Sequence, residues 1–362
     1  MEKVRVGLVG VGGIANGKHM PALSKLPNVE IVAFCDLIEE RAQKGAKEYG
    51  APGAEVYTDY RKMLERKDID VVHVLTPNCS HAEISIAAME AGKDVMCEKP
   101  MAINYEQACQ MLEAKKRTGR KLTIGYQNRF RQDSLYMKTL CDNNELGEIY
   151  YARAHAVRRR GVPTWGVFID EEKQGGGPLI DIGTHALDLS MWMMDNYEPE
   201  LVVGSVYHKL SSRKNAANKF GSWDPAKFTV EDSAFGFIKF KNGATVNLEA
   251  SWALNAMNIG EAMTTLCGTE GGVHMDADYS GLHINGEAHG KLYTKDIELD
   301  MGGVAFYEGG SETDPAVLEA QAWYSHVTNN TPLTTLPEQA AKVTQVLEAI
   351  YESAKTGEAV HL

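Results

Sequence analysis

The sequence predicts an α/β fold in two parts: a doubly wound parallel sheet, followed by an α+β domain with a large, mostly antiparallel open sheet. Three observations predict this architecture. Apolar strands and helical stretches alternate up to Gly125, the later strands are longer, and two of these, over residues 233–240 and 244–252, are joined by a short polar turn. Alternation is typical of parallel sheets, whereas a hairpin requires antiparallel neighbours. We therefore expect one domain over residues 1–125 and a second over residues 126–362.

Short apolar runs separated by helical patterns predict the elements of the first domain. The runs assigned to its parallel strands are residues 4–10, 30–36, 70–77, 94–98 and 121–126. In the second domain we expect further strands over residues 148–157 and 200–208. Two terminal helices are expected over residues 316–328 and 338–356. Residues 211–232 are polar, and we interpret them either as a lid or as a solvated connection.

Length, charge and cysteine usage limit the classes of function. At 362 residues the chain is longer than one hydrophobic core usually supports, which agrees with two domains. A net charge of -12 with scattered basic residues argues against a nucleic-acid partner and favours a small molecule. The six cysteines form no CxxC pair, a usage typical of reduced thiols. With no leader and no membrane-length apolar run, we expect a cytoplasmic protein that does not associate with membranes.

The first strand runs into a glycine-rich turn. Gly10, Gly12 and Ala15 have the GxGxxA spacing, which permits a tight turn, close approach to a pyrophosphate and close helix packing. Asp36 ends the next strand, where a carboxylate accepts hydrogen bonds from an adenosine ribose and repels a 2'-phosphate. Two apolar residues follow Asp36, so we expect NAD, with Arg41 leaving NADP as the less favoured cofactor. The alternative is that Asp36 only caps the next helix.

Polar residues follow two further strands of the predicted parallel sheet. Lys99 comes directly after the strand over residues 94–98, which places a cation at the rim where a cofactor would lie. Thr76, Asn78 and His81 follow the preceding strand and reach the same edge. Alternatively, these residues belong to a proline turn in which Asn78 or Ser80 caps the next helix.

The second domain contains a carboxylate and an imidazole at helical spacing. Asp181 and His185 lie four residues apart, Asp188 extends their stripe, and an adjacent apolar stripe is expected to pack. A nearby carboxylate orients an imidazole and supports its charged form, which suits a base that takes a hydroxyl proton. Lys99 would then stabilise the alkoxide or act as the base itself, and the sequence leaves both roles open.

Two other interpretations apply to this helix. Without Lys99 and the nucleotide motif, the pair of Asp181 and His185 is an ordinary helix salt bridge. A metal site formed by Asp181, His185 and Asp188 would need further ligands, yet no second histidine or cysteine lies at ligand spacing. We therefore expect no bound metal.

These motifs together resemble the Gfo/Idh/MocA oxidoreductases, named for glucose-fructose oxidoreductase, inositol dehydrogenase and rhizopine catabolism. The resemblance covers nearly the whole chain. The motifs that carry it are GVGGIA at 10–15, TPNCSH at 76–81, EKP at 98–100, GYQNRF at 125–130, GGGPLIDIGTH at 175–185 and the segment from Val230 to Trp252. It implies a Rossmann domain, an NAD(P)-dependent sugar or polyol dehydrogenase activity, and homo-oligomers such as dimers, tetramers or hexamers.

The resemblance also implies site residues. The implied catalytic residues are Lys99, Asp181 and His185. The implied cofactor contacts are Gly10, Gly12, Gly13, Ile14, Asp36, Thr76, Asn78, His81, Glu98, Lys99 and Gln127. Among these, Glu98 would contact ribose hydroxyls and Gln127 would lie near the nicotinamide.

A fainter resemblance concerns the substrate. Residues 158–168, followed by the triple glycine, resemble the branch that oxidises glycosides at the C3 hydroxyl. Arg158, Arg160 and Trp165 then become substrate contacts, alongside Lys99, Asp181 and His185, because guanidinium groups and an indole face suit a polyhydroxylated ring. Alternatively, the arginines are a solvated strand end or an oligomer contact. Three further aromatic residues are expected in the core rather than under a sugar: Tyr126, Trp252 and Tyr307.

The sequence thus predicts a cytoplasmic NAD-dependent dehydrogenase that oxidises a ring secondary hydroxyl of a sugar or glycoside, with C3 favoured. An inositol dehydrogenase or a keto-sugar reductase would use the same site. A non-catalytic sensor of sugar and NAD is the alternative from another class. The presence of Lys99, Asp181 and His185 together argues against that sensor.

Overall fold

A computed structural model describes residues 3–277, 281–299 and 314–362. The described chain divides into two compact units. The first comprises the residues up to Phe130 together with those from 314 to Ala341, and the second comprises the remainder. The domain boundary expected after residue 125 stays a prediction.

The strands and helices are defined as follows. The strands are β1 (Val4–Val9), β2 (Val29–Cys35), β3 (Glu55–Tyr57), β4 (Val71–Val74), β5 (Asp94–Glu98), β6 (Leu122–Gly125), β7 (Ile149–Val157), β8 (Pro199–Tyr207), β9 (Ser233–Phe240), β10 (Thr245–Ser251), β11 (Gly260–Gly268), β12 (Gly271–Met275), β13 (Gly281–Ala288), β14 (Lys291–Glu298) and β15 (Val360–His361). The helices are α1 (Met20–Ser24), α2 (Glu39–Tyr49), α3 (Tyr60–Leu64), α4 (His81–Glu90), α5 (Tyr105–Thr118), α6 (Gln132–Asp142), α7 (Glu171–Gln174), α8 (Thr184–Met194), α9 (Pro315–Asn329) and α10 (Pro337–Thr356).

The first unit contains a parallel sheet in the order β3-β2-β1-β4-β5-β6. Its central strands are buried on both faces, which explains why they appear in the sequence as continuous apolar runs. The doubly wound sheet is therefore confirmed. The sequence did not indicate β3, because three residues are too few for a periodic pattern.

Helix α9 packs on the hydrophobic core of this first unit although it lies near the end of the chain. Val317, Trp323 and Tyr324 of α9 are buried in the same cluster as Leu8 and Phe34 of the sheet. Helix α9 therefore completes the core of the first unit. Sequence periodicity predicts that α9 is a helix but carries no information about where it packs.

The second unit contains a sheet in the order β14-β13-β12-β11-β7-β10-β9-β8-β15. Its neighbours pair antiparallel except for β7 and β10, so the mostly antiparallel sheet and the β9–β10 hairpin are confirmed. Helix α8 packs against β7 and β11. Within the described residues, no helix is long and apolar enough to cross a membrane.

Candidate active site

The residues predicted to bind the cofactor lie at the carboxyl ends of parallel strands of the first unit or in the segments that follow them. Because neighbouring parallel strands end at one edge of a sheet, these residues share that edge. In sheet order they are Asp36 after β2, Gly10 after β1, Thr76 after β4, Glu98 and Lys99 at the end of β5, and Gln127 after β6. The strand order reverses at β1, the point where open α/β sheets bind ligands.

The glycine-rich turn leaves room beside the backbone. Gly10 has φ +94°, and a Cβ there would lie 2.5 Å from Leu75 O, so only glycine fits. By contrast, no non-neighbouring protein atom among the described residues lies within 4 Å of a Cβ built at Gly12 or Gly13. Ile14 follows and is partly exposed. A pyrophosphate at the start of the helical segment would fit this open space and meet backbone N–H groups.

Asp36 connects this turn to the segment that leads into α2. Its Oδ2 accepts a hydrogen bond from Val11 N at 2.8 Å, and its Oδ1 accepts one from Ile38 N at 2.9 Å. The second bond closes a turn just before α2, but Ile38, the N-cap residue of α2, has no side-chain capping bond, so Asp36 does not cap that helix. Each carboxylate oxygen retains acceptor capacity, so the group is also able to bind a ribose. That cofactor contact stays a prediction.

His81 joins the loops that follow β4 and β5. Its Nδ1 lies 2.8 Å from Pro100 O and its Nε2 lies 2.9 Å from Thr76 O, with the ring fully buried. Burial lowers the pKa of His81, although the two carbonyls favour the charged ring. A neutral imidazole donates to only one of them. The ring therefore braces Thr76 against the turn that carries Lys99, while its predicted contact with the cofactor stays a prediction.

Glu98 is buried and holds three donors. Its Oε1 accepts hydrogen bonds from Lys18 Nζ at 2.7 Å and His19 Nε2 at 2.8 Å, and its Oε2 accepts one from Lys99 N at 3.1 Å. Burial alone would raise the pKa of Glu98, but Lys18 and His19 outweigh it and hold the pKa well below its usual range. A Cβ at Gly125 would approach Glu98 Oε1 at 2.9 Å, so this carboxylate also requires the neighbouring glycine.

Lys99, whose backbone N–H bonds this carboxylate, and Gln127, which follows β6, are both half-buried. Asn78, also half-buried, begins the short 3-10 turn Asn78–Ser80 before α4. Lys18 and His19, which hold Glu98, were not predicted from the sequence. In the sequence they are two adjacent basic residues directly before the apolar run at 20–23, a pattern that does not by itself indicate a buried charge.

Asp181 and His185 lie on one continuous helical segment of the second unit. A π-helical turn, Leu179–Gly183, carries Asp181 and runs directly into α8, which carries His185. Such turns are frequent at functional sites. Both side chains are half-buried, whereas Asp188 is buried. The predicted apolar stripe is confirmed as buried: Ile182, Ala186, Leu189 and Met193.

Trp252 contacts the predicted catalytic carboxylate. Its Nε1 donates a hydrogen bond to Asp181 Oδ2 at 3.0 Å, and the whole side chain is buried. The expectation that Trp252 belongs to the core is therefore right but incomplete. Tyr126 is also fully buried, and Tyr307 lies outside the described residues.

Glu231 fixes the triple-glycine segment that precedes Asp181. The buried carboxylate accepts hydrogen bonds from Gly177 N at 2.8 Å, Leu179 N at 3.0 Å and Tyr351 Oη at 2.9 Å. A Cβ at Gly177 would collide with Glu231 O, which explains this glycine. Burial raises the pKa of Glu231 despite these donors. The sequence contained the residue within a motif but gave no indication of its partners.

The three predicted substrate contacts differ in their surroundings. Arg158 binds Glu261 through Nε at 2.5 Å and Nη2 at 2.7 Å, and Arg160 Nη2 donates to Asn255 Oδ1 at 2.6 Å. Trp165 is 52% exposed and packs edge-on against Phe220 at 4.9 Å between ring centroids. Only the indole thus presents an open apolar face, and all three roles stay predictions.

Within the described residues, no group of three His, Cys, Asp or Glu side chains converges as metal ligands would.

The chain matches two family models: oxidoreductase family, NAD-binding Rossmann fold, over residues 4–126, and oxidoreductase family, C-terminal alpha/beta domain, over residues 138–362. Both models describe GFO_IDH_MocA proteins, and together they span most of the chain. The chain belongs to the Gfo/Idh/MocA oxidoreductase family. The predicted resemblance is confirmed, and this family member has an NAD-binding Rossmann domain.

Individual relatives extend this comparison. The Gfo/Idh/MocA chain is 36% identical over 359 residues to D-glucoside 3-dehydrogenase of Escherichia coli K12, covering 99% of this chain and 97% of that protein. It is 30% identical over 252 residues to glucose-6-phosphate 3-dehydrogenase of Bacillus subtilis, covering 68% and 67%. A levoglucosan dehydrogenase solved with NADH and levoglucosan has a TM-score of 0.83 at 21% identity, covering 99% of both chains, which shows the shared fold.

Proposed function

We propose that the chain is an NAD-dependent dehydrogenase that oxidises a ring secondary hydroxyl of a sugar or glycoside, with C3 as the first choice. The observation that carries this proposal is the full-length similarity to a D-glucoside 3-dehydrogenase. The presence of Lys99, Asp181 and His185 supports an active enzyme rather than a sensor.

The cofactor would occupy the carboxyl edge of the parallel sheet. Gly12 and Gly13 offer the pyrophosphate open space, and Asp36 offers a carboxylate to the adenosine ribose. The absence of a basic residue directly after Asp36 favours NAD over NADP. When bound, NAD supplies the hydride acceptor. The protein supplies position and charge around it.

We assign the proton chemistry to three side chains. His185 takes the hydroxyl proton on an imidazole nitrogen, and Asp181 orients that ring and supports its charged form. Trp252 supports this assignment, since its hydrogen bond limits the rotation of the Asp181 carboxylate. Lys99 stabilises the negative charge that develops on the substrate oxygen. The alternative, in which Lys99 is the base, uses the same residues.

A second substrate class is a cyclitol. Inositol 2-dehydrogenase of Salmonella typhimurium is 28% identical, but over only 53% of this chain. Because the glucoside dehydrogenase aligns over nearly the full length, we place glycosides first and inositols second. A keto-sugar reductase would run the same chemistry in reverse.

A substrate screen tests the proposal. The purified protein is incubated with NAD and a panel of glucosides, free hexoses and inositols, and NADH formation is followed by absorbance. We expect a glucoside to be oxidised, and NMR of the product to place the carbonyl at C3. An aldonolactone would place oxidation at C1, activity confined to inositols would favour the cyclitol class, and sugar binding without NADH formation would indicate a sensor.

We also propose cytoplasmic localisation and a homo-oligomer formed by the second domain, residues 126–362. Val203 on β8 and Phe237 on β9 pair in register and are each 43% exposed, an apolar contact suited to another subunit. Light scattering after size exclusion would measure the assembly. A monomer at all concentrations would contradict the proposed homo-oligomer.

A further inference from the structure

A cluster of buried charges lies behind the β5 end of the first unit. Lys18 Nζ lies 2.7 Å from Glu98 Oε1 and 2.8 Å from Glu319 Oε2, and none of the three side chains is more than 7% exposed. Glu319 belongs to α9, which packs on this unit from the far end of the chain. The Lys18 ammonium therefore forms ion pairs with two carboxylates, Glu98 and Glu319, that are distant in sequence.

A chain of hydrogen bonds between uncharged side chains leads to Glu98 from the other side. Tyr324 Oη lies 2.9 Å from His73 Nε2, and His73 Nδ1 lies 3.0 Å from His19 Nδ1. Burial lowers the pKa of both histidines, so both rings are neutral. Because an ionised Glu98 only accepts, His19 carries its proton on Nε2 and donates to Oε1 at 2.8 Å. His73 then donates through Nδ1, and Tyr324 donates to His73 Nε2.

These bonds fix one oxygen of Glu98 and thereby orient the other. Oε1 is held between Lys18 and His19, so Oε2 is the oxygen that accepts from Lys99 N. We propose that Lys18 and Glu319 are positioning residues, which hold Glu98 and through it set the place of Lys99. The proposal rests on the catalytic role assigned to Lys99 above.

Stability alone does not account for such a cluster. Replacing a buried ion pair by packed apolar side chains is often neutral or stabilising, because burying charges is costly. Here Glu319 Oε1 even lacks a hydrogen-bond partner among the described residues. The contact that an apolar replacement could not reproduce is the acceptor that Glu98 presents to the Lys99 backbone.

The test compares Lys18→Met with a matched control, Lys93→Met. Lys93 is buried in the same unit and donates to Arg66 O at 2.6 Å and Ile69 O at 2.8 Å, at the opposite end of β5. We expect Lys18→Met to lower kcat about 10- to 100-fold, with the Kd of NADH changed less than about threefold. Lys93→Met should lose stability yet keep its turnover. An equal loss of kcat in both variants would overturn the proposal.

Labelling of Lys99 gives a readout that does not depend on catalysis. Acetylation by acetic anhydride, followed by peptide mass spectrometry, measures the reactivity of each amine. We expect the labelling rate of Lys99 to change at least about threefold in Lys18→Met and to stay unchanged in Lys93→Met. An unchanged rate in Lys18→Met would refute positioning. Normal turnover of Lys99→Met would instead refute the catalytic assignment while leaving the labelling result valid.

Two further variants complete the design. If Lys18→Met does not fold, Glu319→Gln retains the shape and removes one charge, and the same labelling change is expected at a smaller size. In a Lys99→Met background, Lys18→Met should cause no further loss of kcat, because both changes act through one group. A further loss equal to that in the parent protein would show that Lys18 acts elsewhere.

Discussion

Trp252 Nε1 donates a hydrogen bond to Asp181 Oδ2 over 3.0 Å, so an aromatic side chain of the second unit's core holds the carboxylate that precedes His185. Trp252 packs edge-on against Phe228, which in turn packs against Trp223. The position of Asp181 is therefore coupled to the packing of three aromatic rings.

Trp252→Phe should lower kcat about tenfold, since it removes this bond while keeping an aromatic ring in the core. A hydrogen bond to a charged group contributes about 1.5 to 3 kcal/mol, and the cavity left by the smaller ring adds to the loss of unfolding free energy. The control is Trp223→Phe, which removes an indole bond to Ser211 O within the same cluster. Steady-state kinetics measures kcat, and urea unfolding measures the unfolding free energy, for both variants. Equal kinetic losses in the two variants would mean that only packing matters.

Lys99→Met and His185→Ala should each lower turnover about 100- to 10,000-fold, because both groups act chiefly in the transition state. The Kd of NADH, titrated by fluorescence, should change little. Asp181→Asn should lose less than His185→Ala, since the shape and the bond from Trp252 are retained. Near-normal turnover in Lys99→Met would leave the turn at residues 98–100 with a positioning role only.

The pH profile distinguishes the two bases. If His185 is the base, kcat/KM rises with pH over the range in which imidazoles lose their proton, and His185→Ala lacks that rise. A rise that persists in His185→Ala would make Lys99 the base. The profiles are compared at saturating NAD so that cofactor binding does not contribute.

Asp36→Asn should narrow the preference for NAD over NADP, because it removes the charge that repels a 2'-phosphate while keeping an acceptor for Val11 N. The loss of a charged hydrogen bond weakens NAD binding by about 1.5 to 3 kcal/mol. Fluorescence titration of both cofactors measures the ratio. Thermal unfolding is the control for the stability of the turn, and an unaltered ratio of the two affinities would leave Asp36 with only its bonds to Val11 N and Ile38 N.

Glu231→Gln should destabilise the second unit and lower turnover, because an amide cannot accept from Gly177 N, Leu179 N and Tyr351 Oη at once. The lost bonds are expected to cost about 2 to 4 kcal/mol in unfolding free energy. Tyr351→Phe removes only one of the three donors and should show a smaller loss. If both variants lose the same amount, the backbone bonds to Glu231 contribute nothing.

The unfolding free energy should fall as the pH rises, because the buried Glu319 loses its proton. Burial raises the pKa of Glu319 to about 7, with Glu98 adding to the rise and Lys18 opposing it. Since the folded pKa exceeds the unfolded one, the folded state binds more protons between about pH 4.5 and about pH 7. Relative to Glu319→Gln, the unfolding free energy falls there by up to about 1.4 kcal/mol per pH unit. Urea unfolding of the parent protein and Glu319→Gln across this pH range measures the difference in unfolding free energy. The same pH dependence in both proteins would contradict the prediction.

The sequence by itself determined the features that depend on local geometry. The spacing of Gly10, Gly12 and Ala15 predicted the turn, the apolar runs predicted parallel strands, and the turn after Phe240 predicted the hairpin. Strand ends in a parallel sheet share one edge, so Asp36 and Lys99 could be placed there without coordinates. Short-range periodicity and turn chemistry carry this information because they involve residues a few positions apart.

Only the tertiary structure decided which distant residues meet. Glu319 joins Lys18 because α9 packs on the first unit, and Trp252 reaches Asp181 because β10 lies beside the helical segment. Neither partner could be deduced from spacing, since a buried charge or an indole N–H is satisfied by whichever group the fold brings within about 3 Å. The sequence indicated which residues are candidates for the chemistry, and long-range packing decided which residues hold those candidates in place.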